Sequence, residues 1–242
     1  MLKQRVSDIF GKVEEVKLNL TKRLEKIWEA PDLYSFFKKY SRQKPHLVKK
    51  GTVLFNSGDP LSGIYFIKSG FIKLYRISDD GRETVIYLTG PGNLLGLKAL
   101  ISKDARAHHY TEALTDCQII NMTRQELFEI LSAHPEHLVD LGYAFIERLN
   151  HAERRVEGFI SSDTKMRIAN FLLDITLRFG QKTGKNVLLP LPLTHQRIAE
   201  FVGAYRETVT LAVNELERDG VVKNQRGKIT VTSLRKLKIL AA

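Results

Sequence analysis

Cysteine is almost absent from this chain of 242 residues, which contains only Cys117. One cysteine cannot form a disulfide within the chain, and it cannot hold an iron–sulfur cluster, which takes several thiolate ligands. The sequence therefore excludes an iron–sulfur sensor. Cys117 itself is interpreted as a small apolar residue of a β-strand, and a redox-sensing thiol is the alternative.

Long hydrophobic runs are missing as well. No segment approaches the roughly 20 apolar residues that span a bilayer. The N-terminus is charged and amphipathic, and it lacks the apolar core of a secretory signal. We therefore expect no membrane partner and a cytoplasmic location.

The motifs typical of enzymes are also not found. The sequence contains no nucleophile elbow, no phosphate-binding loop and no metal-ligand spacing, and its glycines lack the spacing of a dinucleotide fingerprint. His134, His137 and His151 are scattered over predicted helices. We expect no enzymatic activity, no catalytic residues, no metal and no resident cofactor.

Positive charge exceeds negative charge, and the excess lies at the two ends of the chain. The formal net charge is +11. Residues 1–50 and 163–242 each carry +7, whereas residues 51–162 carry −3. Basic ends around an acidic middle favour binding of one or both ends to a polyanion, most often nucleic acid.

The length is sufficient for two domains, and the sequence pattern changes along the chain. Residues 1–45 have a helical apolar period and are predicted to form an N-terminal helical extension. From 46 to 133, glycines recur between short β-rich runs, and Asp79-Asp80-Gly81 is a strong hairpin signal. This pattern predicts an antiparallel sandwich or barrel.

A long helix is predicted over residues 134–161, after a shorter helix that Thr123 and Glu126 begin with a capping box. Its apolar residues recur every three or four positions, close to a heptad seam. Such a stripe packs on the chain's own β domain or on the same helix of a second copy, and we expect both. The chain is therefore predicted to be a homodimer. The predicted interface residues are Leu138, Leu141, Phe145, Leu149, Ala152, Val156 and Phe159.

The last segment, residues 162–242, has the element order of a winged helix-turn-helix domain. The predicted fold class is therefore α+β, with an antiparallel β domain and a dimerisation helix before the DNA-binding domain. The individual elements are predicted as helices over 164–180, 194–202 and 205–219, an extended segment at 187–191 and a hairpin over 221–232.

The spacing within Thr194–Val213 is that of a helix-turn-helix. Ala199 supplies the small residue at which the second helix crosses the first. Gly203, four residues later, tolerates the positive φ of the turn, and Val209, six residues further, faces inward. This spacing is the strongest functional signal in the sequence.

The second helix of this motif begins with residues suited to reading DNA. Arg206 can donate two hydrogen bonds to guanine O6 and N7, and Glu207 can accept one from cytosine N4. The opposing interpretation of this pair is a solvated charge pair. The remaining candidate DNA contacts are Thr194, Gln196 and Thr208 near phosphates, Tyr205 and Thr210 on the same helix, and Arg226 and Lys228 in the wing.

Along about residues 46–235 the sequence resembles the Crp/Fnr family of bacterial transcription regulators. The resemblance implies a cyclic-nucleotide-binding-type sensor domain, which is an antiparallel β-roll (a double-stranded β-helix of jelly-roll type). It also implies a dimerisation helix, a near-palindromic target in double-stranded DNA and RNA polymerase as a partner. It also implies that Arg206 and Glu207 read a TGTGA-like half-site, although Leu211 replaces a further base-reading arginine of the cyclic-AMP-responsive members. The segments that carry the resemblance are Lys50-Gly51, Asn56–Pro60, Ile64–Gly70, Gly90–Gly96 and Arg206–Val209.

The effector is not fixed by the resemblance. Cyclic-AMP binders of the family carry a glutamate after the second glycine of the roll motif and an Arg-Ser pair about ten residues later. Here Leu97 follows Gly96, and Ala107-His108 stand near the Arg-Ser position, so we expect no response to cyclic AMP. Arg106 is adjacent and could substitute after a register shift.

Two other effectors stay open. Haem-binding members use histidine, and His108 is a candidate, although neighbouring strand residues face opposite sides so that only one of His108 and His109 could point inward. A 2-oxoglutarate-sensing subgroup resembles this chain around Gly96 and in the pair Arg148 and Glu153, where an ordinary ion pair is the alternative. An effector-independent regulator with a vestigial pocket is the remaining possibility.

Overall fold

The computed structural model of the chain describes the backbone of residues 2–26, 29–102, 104–160 and 163–241 and the side chains of residues 11–26, 29–102, 104–156 and 163–241. The chain divides into two compact units. The first contains the residues up to Ile72 together with Thr89–Asn150, and the second contains Lys73–Leu88 together with the residues from His151 onward. The four segments proposed from the sequence stay a prediction.

The chain begins and ends with helices and has most of its strands between them. The helices are α1 (Leu2–Glu25), α2 (Leu33–Tyr40), α3 (Lys98–Ile101), α4 (Arg124–Ala133), α5 (His137–Ile160), α6 (Thr164–Phe179), α7 (His195–Val202), α8 (Arg206–Arg218) and α9 (Leu234–Leu240). The strands are β1 (His46–Val48), β2 (Val53–Phe55), β3 (Gly63–Ser69), β4 (Ile72–Ile77), β5 (Glu83–Thr89), β6 (Leu94–Leu95), β7 (Tyr110–Ala113), β8 (Cys117–Thr123), β9 (Gln181–Thr183), β10 (Asn186–Leu188), β11 (Val222–Gln225) and β12 (Lys228–Val231).

The first unit is built on antiparallel strands whose neighbours are distant in the sequence. One sheet has the order β1-β8-β3-β6, and β2 pairs with β7 elsewhere. This wrapping order is that of a jelly-roll-type β-roll, which confirms the predicted fold class. Cys117 lies buried in β8, and burial raises the pKa of its thiol, so it packs as a small apolar side chain.

Helices cover the apolar side of this sheet. The predicted capping box of α4 is present, because the Thr123 hydroxyl accepts the Glu126 N–H and the Glu126 carboxylate accepts the Thr123 N–H. The N-terminal arm is helical as predicted, and Asp32 caps α2. The core that joins arm, sheet and helices contains Leu33, Phe36, Phe37, Ile64, Phe66, Leu94, Leu100, Ile120, Met122, Leu127 and Leu141.

The second unit contains the β4–β5 hairpin residues and all elements from α6 to α9. Gly81, at φ +79°, closes the predicted hairpin turn, where its N–H donates to the Ser78 carbonyl at 2.8 Å. Asp163 caps α6. The strands that follow α6 in the chain form an antiparallel sheet of order β11-β12-β10-β9.

Two details of this unit differ from the predicted elements. The single extended segment expected at 187–191 is the second strand of a hairpin, because Gly184 at φ +61° allows the chain to turn between β9 and β10. Helix α9 was not predicted, since it is only seven residues long, three of them are basic and only Leu237 is buried. Neither element is part of the helix-turn-helix: β10 pairs with β12, and α9 packs on α6.

Candidate nucleic-acid interface

The base of the interface is the apolar contact between α7 and α8. Ala199 is almost fully buried where the two helices cross, and Ile198 and Val209 are fully buried beside it. Gly203 ends α7 in the left-handed conformation, at φ +65°. These placements confirm the helix-turn-helix predicted from the spacing of the three positions.

The start of α8 projects from this base into solvent. Tyr205 is the N-cap residue, is 71% exposed and makes no capping hydrogen bond with its side chain. Arg206, Glu207 and Thr208 follow it, and all three are exposed. The first N–H groups of a helix have no partner within the helix, so this end presents donors and a positive dipole together with long polar side chains.

The wing places two further cations beside the helix-turn-helix within the same unit. Its turn links Gln225 and Lys228, which pair across β11 and β12. Both turn residues have positive φ, Arg226 at +53° and Gly227 at +80°. The left-handed region costs a non-glycine residue roughly 1 kcal/mol, so an arginine at this position is held there against its backbone preference. Arg226 and Lys228 are exposed.

The start of α7 carries the other predicted phosphate contacts. The Thr194 hydroxyl accepts the Arg197 N–H at 3.3 Å and caps the helix. Gln196 is exposed, and its amide donates to Glu200 at 3.2 Å. Thr194 and Gln196 therefore lie as polar side chains at the start of α7.

A polar network that the sequence did not reveal lies between α7, α8 and the wing. His195 Nδ1 lies 2.9 Å from the Thr210 hydroxyl, and His195 Nε2 lies 3.0 Å from the side-chain amide of Asn224. The three residues are 15 and 29 positions apart, so no local pattern indicates their contact. Thr210, predicted to face DNA, is half-buried and also donates to the Arg206 carbonyl at 2.9 Å.

Buried charges fix the helices behind the interface. Arg155 donates to the Phe201 carbonyl at 2.9 Å and to the Val85 carbonyl, and burial lowers the pKa of its guanidinium. Asp174 lies 3.4 Å from His151 and 3.1 Å from Arg178. Burial raises the pKa of Asp174, but these two contacts lower it more, so the net shift is downward. Burial lowers the pKa of His151 by more than Asp174 raises it.

The predicted dimerisation residues do not share one environment. Leu141 is 5% exposed and belongs to the core of its own unit, and Phe145 packs partly against that core. Ala152 is exposed, and Phe159 lies outside the residues whose side chains are described. Among the described side chains of α5, the large apolar ones that are more than half exposed are Leu138, Ile146, Leu149 and Val156, of which Ile146 was not predicted.

The predicted effector residues are also dispersed. Leu97 is half-buried and packs on the core, and Gly96 approaches so closely that an added Cβ would lie 2.4 Å from the Gly63 carbonyl oxygen. Arg106 is exposed and donates to the Gly58 carbonyl at 2.9 Å. His108 is exposed in a bend, so the strand alternation expected at this position does not apply.

A basic pair lies elsewhere in the first unit. Burial lowers the pKa of Lys98, and the positive charge of Arg148 lowers it further. Arg148 is half-buried, and Glu153 is exposed. Within the described part of the chain, no three metal-binding side chains gather and no helix is long and apolar enough to cross a membrane.

Comparison with known families and structures matches this architecture. A family model for the cyclic nucleotide-binding domain matches residues 45–134, and one for the Crp-like helix-turn-helix domain matches residues 166–240. The chain is 31% identical over 201 residues to the transcriptional regulator SdrP of Thermus thermophilus, covering 78% of this chain and 94% of that protein.

Two more distant matches extend the comparison. The chain is 28% identical over 188 residues to the CRP-like cAMP-activated global transcriptional regulator of Mycobacterium tuberculosis, covering 78% of this chain and 84% of that protein. The structure of FixK2 from Bradyrhizobium japonicum shares the fold with a TM-score of 0.72 at 20% identity, covering 82% of this chain and 97% of that one.

The fold and the exposed helix-turn-helix define a DNA-binding transcriptional regulator with a cyclic-nucleotide-binding-type β-roll. The chain belongs to the Crp/Fnr family.

Proposed function

We propose that the protein acts as a homodimer that reads a near-palindromic DNA site through the start of α8. The observation that carries this proposal is the exposed, uncapped start of α8, where Arg206 and Glu207 project from a buried apolar base. Arginine reaches guanine with two parallel hydrogen bonds, and a carboxylate accepts from cytosine. In a dimer the two helices would enter successive major grooves about 34 Å apart.

The wing has a different task. Arg226 and Lys228 lie at the tip of a hairpin, where side chains meet the phosphate backbone rather than base edges. Phosphate contacts add affinity for every sequence and make it depend on salt. Arg226 keeps a strained left-handed conformation that asparagine or glycine would adopt more easily, which supports a role for its side chain.

Selection from a random duplex library with the wild-type chain tests the proposal and supplies a probe. Arg206→Ala should weaken binding to the selected duplex by about 1–3 kcal/mol and relax the preference at one base pair per half-site. Lys228→Ala should weaken selected and random duplexes about equally and lower the salt slope by about one unit.

Arg218→Ala is the matched control, because Arg218 is exposed on the same helix about 18 Å from Arg206 along the axis. If Arg206→Ala weakened both duplexes equally and changed only the salt slope, Arg206 would be a phosphate contact. The base-reading role would then pass to Tyr205, Glu207 or Thr210.

Exposed apolar residues on α5 support the dimer. A stripe of four large side chains, each more than half exposed, is costly in an isolated helix and matches a helix–helix seam. Leu149→Asp should raise the dimer dissociation constant at least about tenfold, because a buried leucine contributes roughly 1.5–3 kcal/mol. Sedimentation measures it, and exposed Glu147→Lys, about 160° away around the helix, is the control.

The effector is a small molecule other than cyclic AMP. Leu97 and Ala107 are apolar where cyclic-AMP binders of the family carry polar contacts, and Arg106 already donates to a backbone carbonyl. Among the alternatives, the cations Lys98 and Arg148 favour a small carboxylate such as 2-oxoglutarate. A haem-sensing or effector-independent protein remains the alternative.

Calorimetry with cyclic AMP and with 2-oxoglutarate, together with visible absorbance of the purified protein, distinguishes these cases. We expect no heat with cyclic AMP. Binding of 2-oxoglutarate that Arg148→Gln abolishes would support the carboxylate site, and a haem absorbance band would overturn it. As a regulator of transcription the protein would act on DNA in the bacterial cytoplasm, with RNA polymerase as its partner.

A further inference from the structure

His195 contacts both DNA-reading elements of the second unit. It is the first residue of α7 and is half-buried. One ring nitrogen lies 2.9 Å from the Thr210 hydroxyl on α8, and the other lies 3.0 Å from the Asn224 side-chain nitrogen on β11. Thr210 follows Arg206 by one helical turn, and Asn224 precedes the wing turn by two residues. The imidazole therefore spans from the recognition helix to the wing.

The partners determine which ring nitrogen carries the proton. The Thr210 hydroxyl donates its only proton to the Arg206 carbonyl at 2.9 Å, so it must accept from His195 Nδ1–H. Asn224 Oδ1 accepts the Gly227 N–H at 3.2 Å, which turns the amide nitrogen toward the ring. That nitrogen donates, so His195 Nε2 must be an unprotonated acceptor. Every hydrogen bond is satisfied only with a neutral imidazole.

A second proton would disrupt this network. An imidazolium donates from both nitrogens, so Nε2–H and the Asn224 amide would be two donors facing each other at 3.0 Å. Rotation of the amide would relieve that clash but would remove the acceptor of Gly227, which is one of the two turn residues of the wing. In either case the side-chain link through His195 is lost, whereas the Asn224 backbone N–H still donates to the Glu217 carboxylate of α8.

We infer that His195 is a positioning residue that adds a side-chain link between the wing and the recognition helix while neutral, and that this link breaks when the ring is protonated. This inference rests on the proposed DNA-binding function and adds a pH-sensitive coupling between base reading and phosphate contact. Imidazole changes charge between about pH 5 and 8.

Charged groups on the surrounding elements belong to types that keep their charge in that range. On the wing side, the Glu217 carboxylate of α8 accepts the Asn224 backbone N–H. On α7, the Arg197 guanidinium donates to the Pro192 carbonyl at 3.0 Å. The other charged residues of these elements are Glu200 on α7, Arg206, Glu207, Glu215 and Arg218 on α8, Lys223 on β11 and Lys228 on β12.

The test measures affinity for the selected duplex from pH 8 to pH 5.5 with three full-length chains. Wild type should bind about fivefold more weakly at pH 5.5, because a hydrogen-bonded link is lost. His195→Gln does not titrate and can still accept from Asn224, so its affinity should change less. Asn224→Asp can accept from the imidazolium and still accept from Gly227, so its pH dependence should reverse relative to wild type.

A second readout isolates the wing. Lys228→Ala should weaken binding at pH 8 and have a smaller effect at pH 5.5, where the link between His195 and the wing is already broken. Thermal unfolding of each chain at both pH values verifies that the domain is folded. Other histidines titrate in all three chains and therefore cancel in the comparison.

The outcomes separate the inference from the function beneath it. Equal pH dependence in all three chains would overturn the positioning role while leaving DNA binding intact. Tighter wild-type binding at low pH would show that His195 acts as an added cation toward phosphate, which also overturns it. Failure to select any duplex would overturn the proposed function and this inference together.

Discussion

The start of α8 and the β-roll use polar side chains in opposite ways. At α8, exposed charged residues project from a buried apolar base, and the packing of α7 against α8 fixes their position. In the roll, Leu97 and Ala107 are apolar at positions where a nucleotide would need polar partners, and Arg106 and His108 face solvent. A polyanion is recognised by projecting groups, whereas a small ligand needs enclosed ones. The start of α8 therefore indicates its partner, and the β-roll does not.

The apolar base of α8 is the feature whose loss should have the largest effect. Val209→Asp would bury an unpaired carboxylate at a fully buried position and should destabilise the second unit by more than about 4 kcal/mol. Leu211→Asp, two residues along the same helix and 66% exposed, should change stability by less than about 0.5 kcal/mol. Urea unfolding measures both, and similar losses would contradict the inward and outward assignment.

The tight packing of the roll can be tested at Gly96. A Cβ there would lie 2.4 Å from the Gly63 carbonyl oxygen, at a φ of +77°. Gly96→Ala should therefore cost about 3 kcal/mol, whereas Gly92→Ala, at φ +86° with open space around it, should cost about 1 kcal/mol from backbone strain alone. The difference in urea midpoint measures the close approach, and equal costs would show that the strand moves aside.

A substitution in the wing turn should have a smaller effect, which raises the stability of the fold and lowers the affinity for DNA. Arg226→Gly relieves a left-handed arginine and should stabilise the fold by up to about 1 kcal/mol. The same change removes a cation and should weaken DNA binding and lower the salt slope by about one unit. Thermal unfolding and salt titrations measure the two effects, and unchanged affinity would remove Arg226 from the interface.

The smallest effect concerns acid stability. The folded pKa of His151 is lowered by burial, so the unfolded chain binds more protons just below the ordinary imidazole value of about 6.5. The free energy of unfolding should fall as pH drops from about 7 to 5. Its slope against pH should correspond to the uptake of less than one proton on unfolding. His151→Gln should reduce that slope, since it cannot take up the proton. An unchanged slope would mean that another histidine causes it.

The lowered pKa of Asp174 acts in a separate window. Its carboxylate is favoured in the folded state, so its contribution is present above the ordinary value of about 4 and is lost only as pH falls further. Unfolding measured between pH 5 and 3 on Asp174→Asn distinguishes this window from that of His151.

Local patterns predicted the elements and the helix-turn-helix, because those features depend on neighbours in the sequence. Gly203 and Ala199 are four residues apart, and the capping box of Thr123 and Glu126 spans three. The apolar period of α5 predicted Leu141 for the dimer interface and left Ile146 out, because periodicity does not distinguish a residue that packs on its own unit from one that is exposed. The contact of His195 with Asn224 depends on tertiary structure alone.

The effector could not be predicted for a related reason. The resemblance supplied expected positions, but the charge of Arg148 lowers the pKa of Lys98, 50 positions away, only in the folded unit. The roll specifies a shape through its glycines and its strand order. Which ligand that shape accepts depends on side chains that have no fixed spacing.

The uncapped first turn of α8 has a consequence for what happens to the helix when DNA binds. Tyr205 offers no side-chain oxygen to the amide groups behind it, so the helix begins with donors that only solvent satisfies in the free protein. A phosphate oxygen arriving there would occupy the place that serine or aspartate takes in other helices. The nucleic acid would thereby complete the protein's own secondary structure, and amide exchange in Arg206–Thr208 would slow when the duplex arrives.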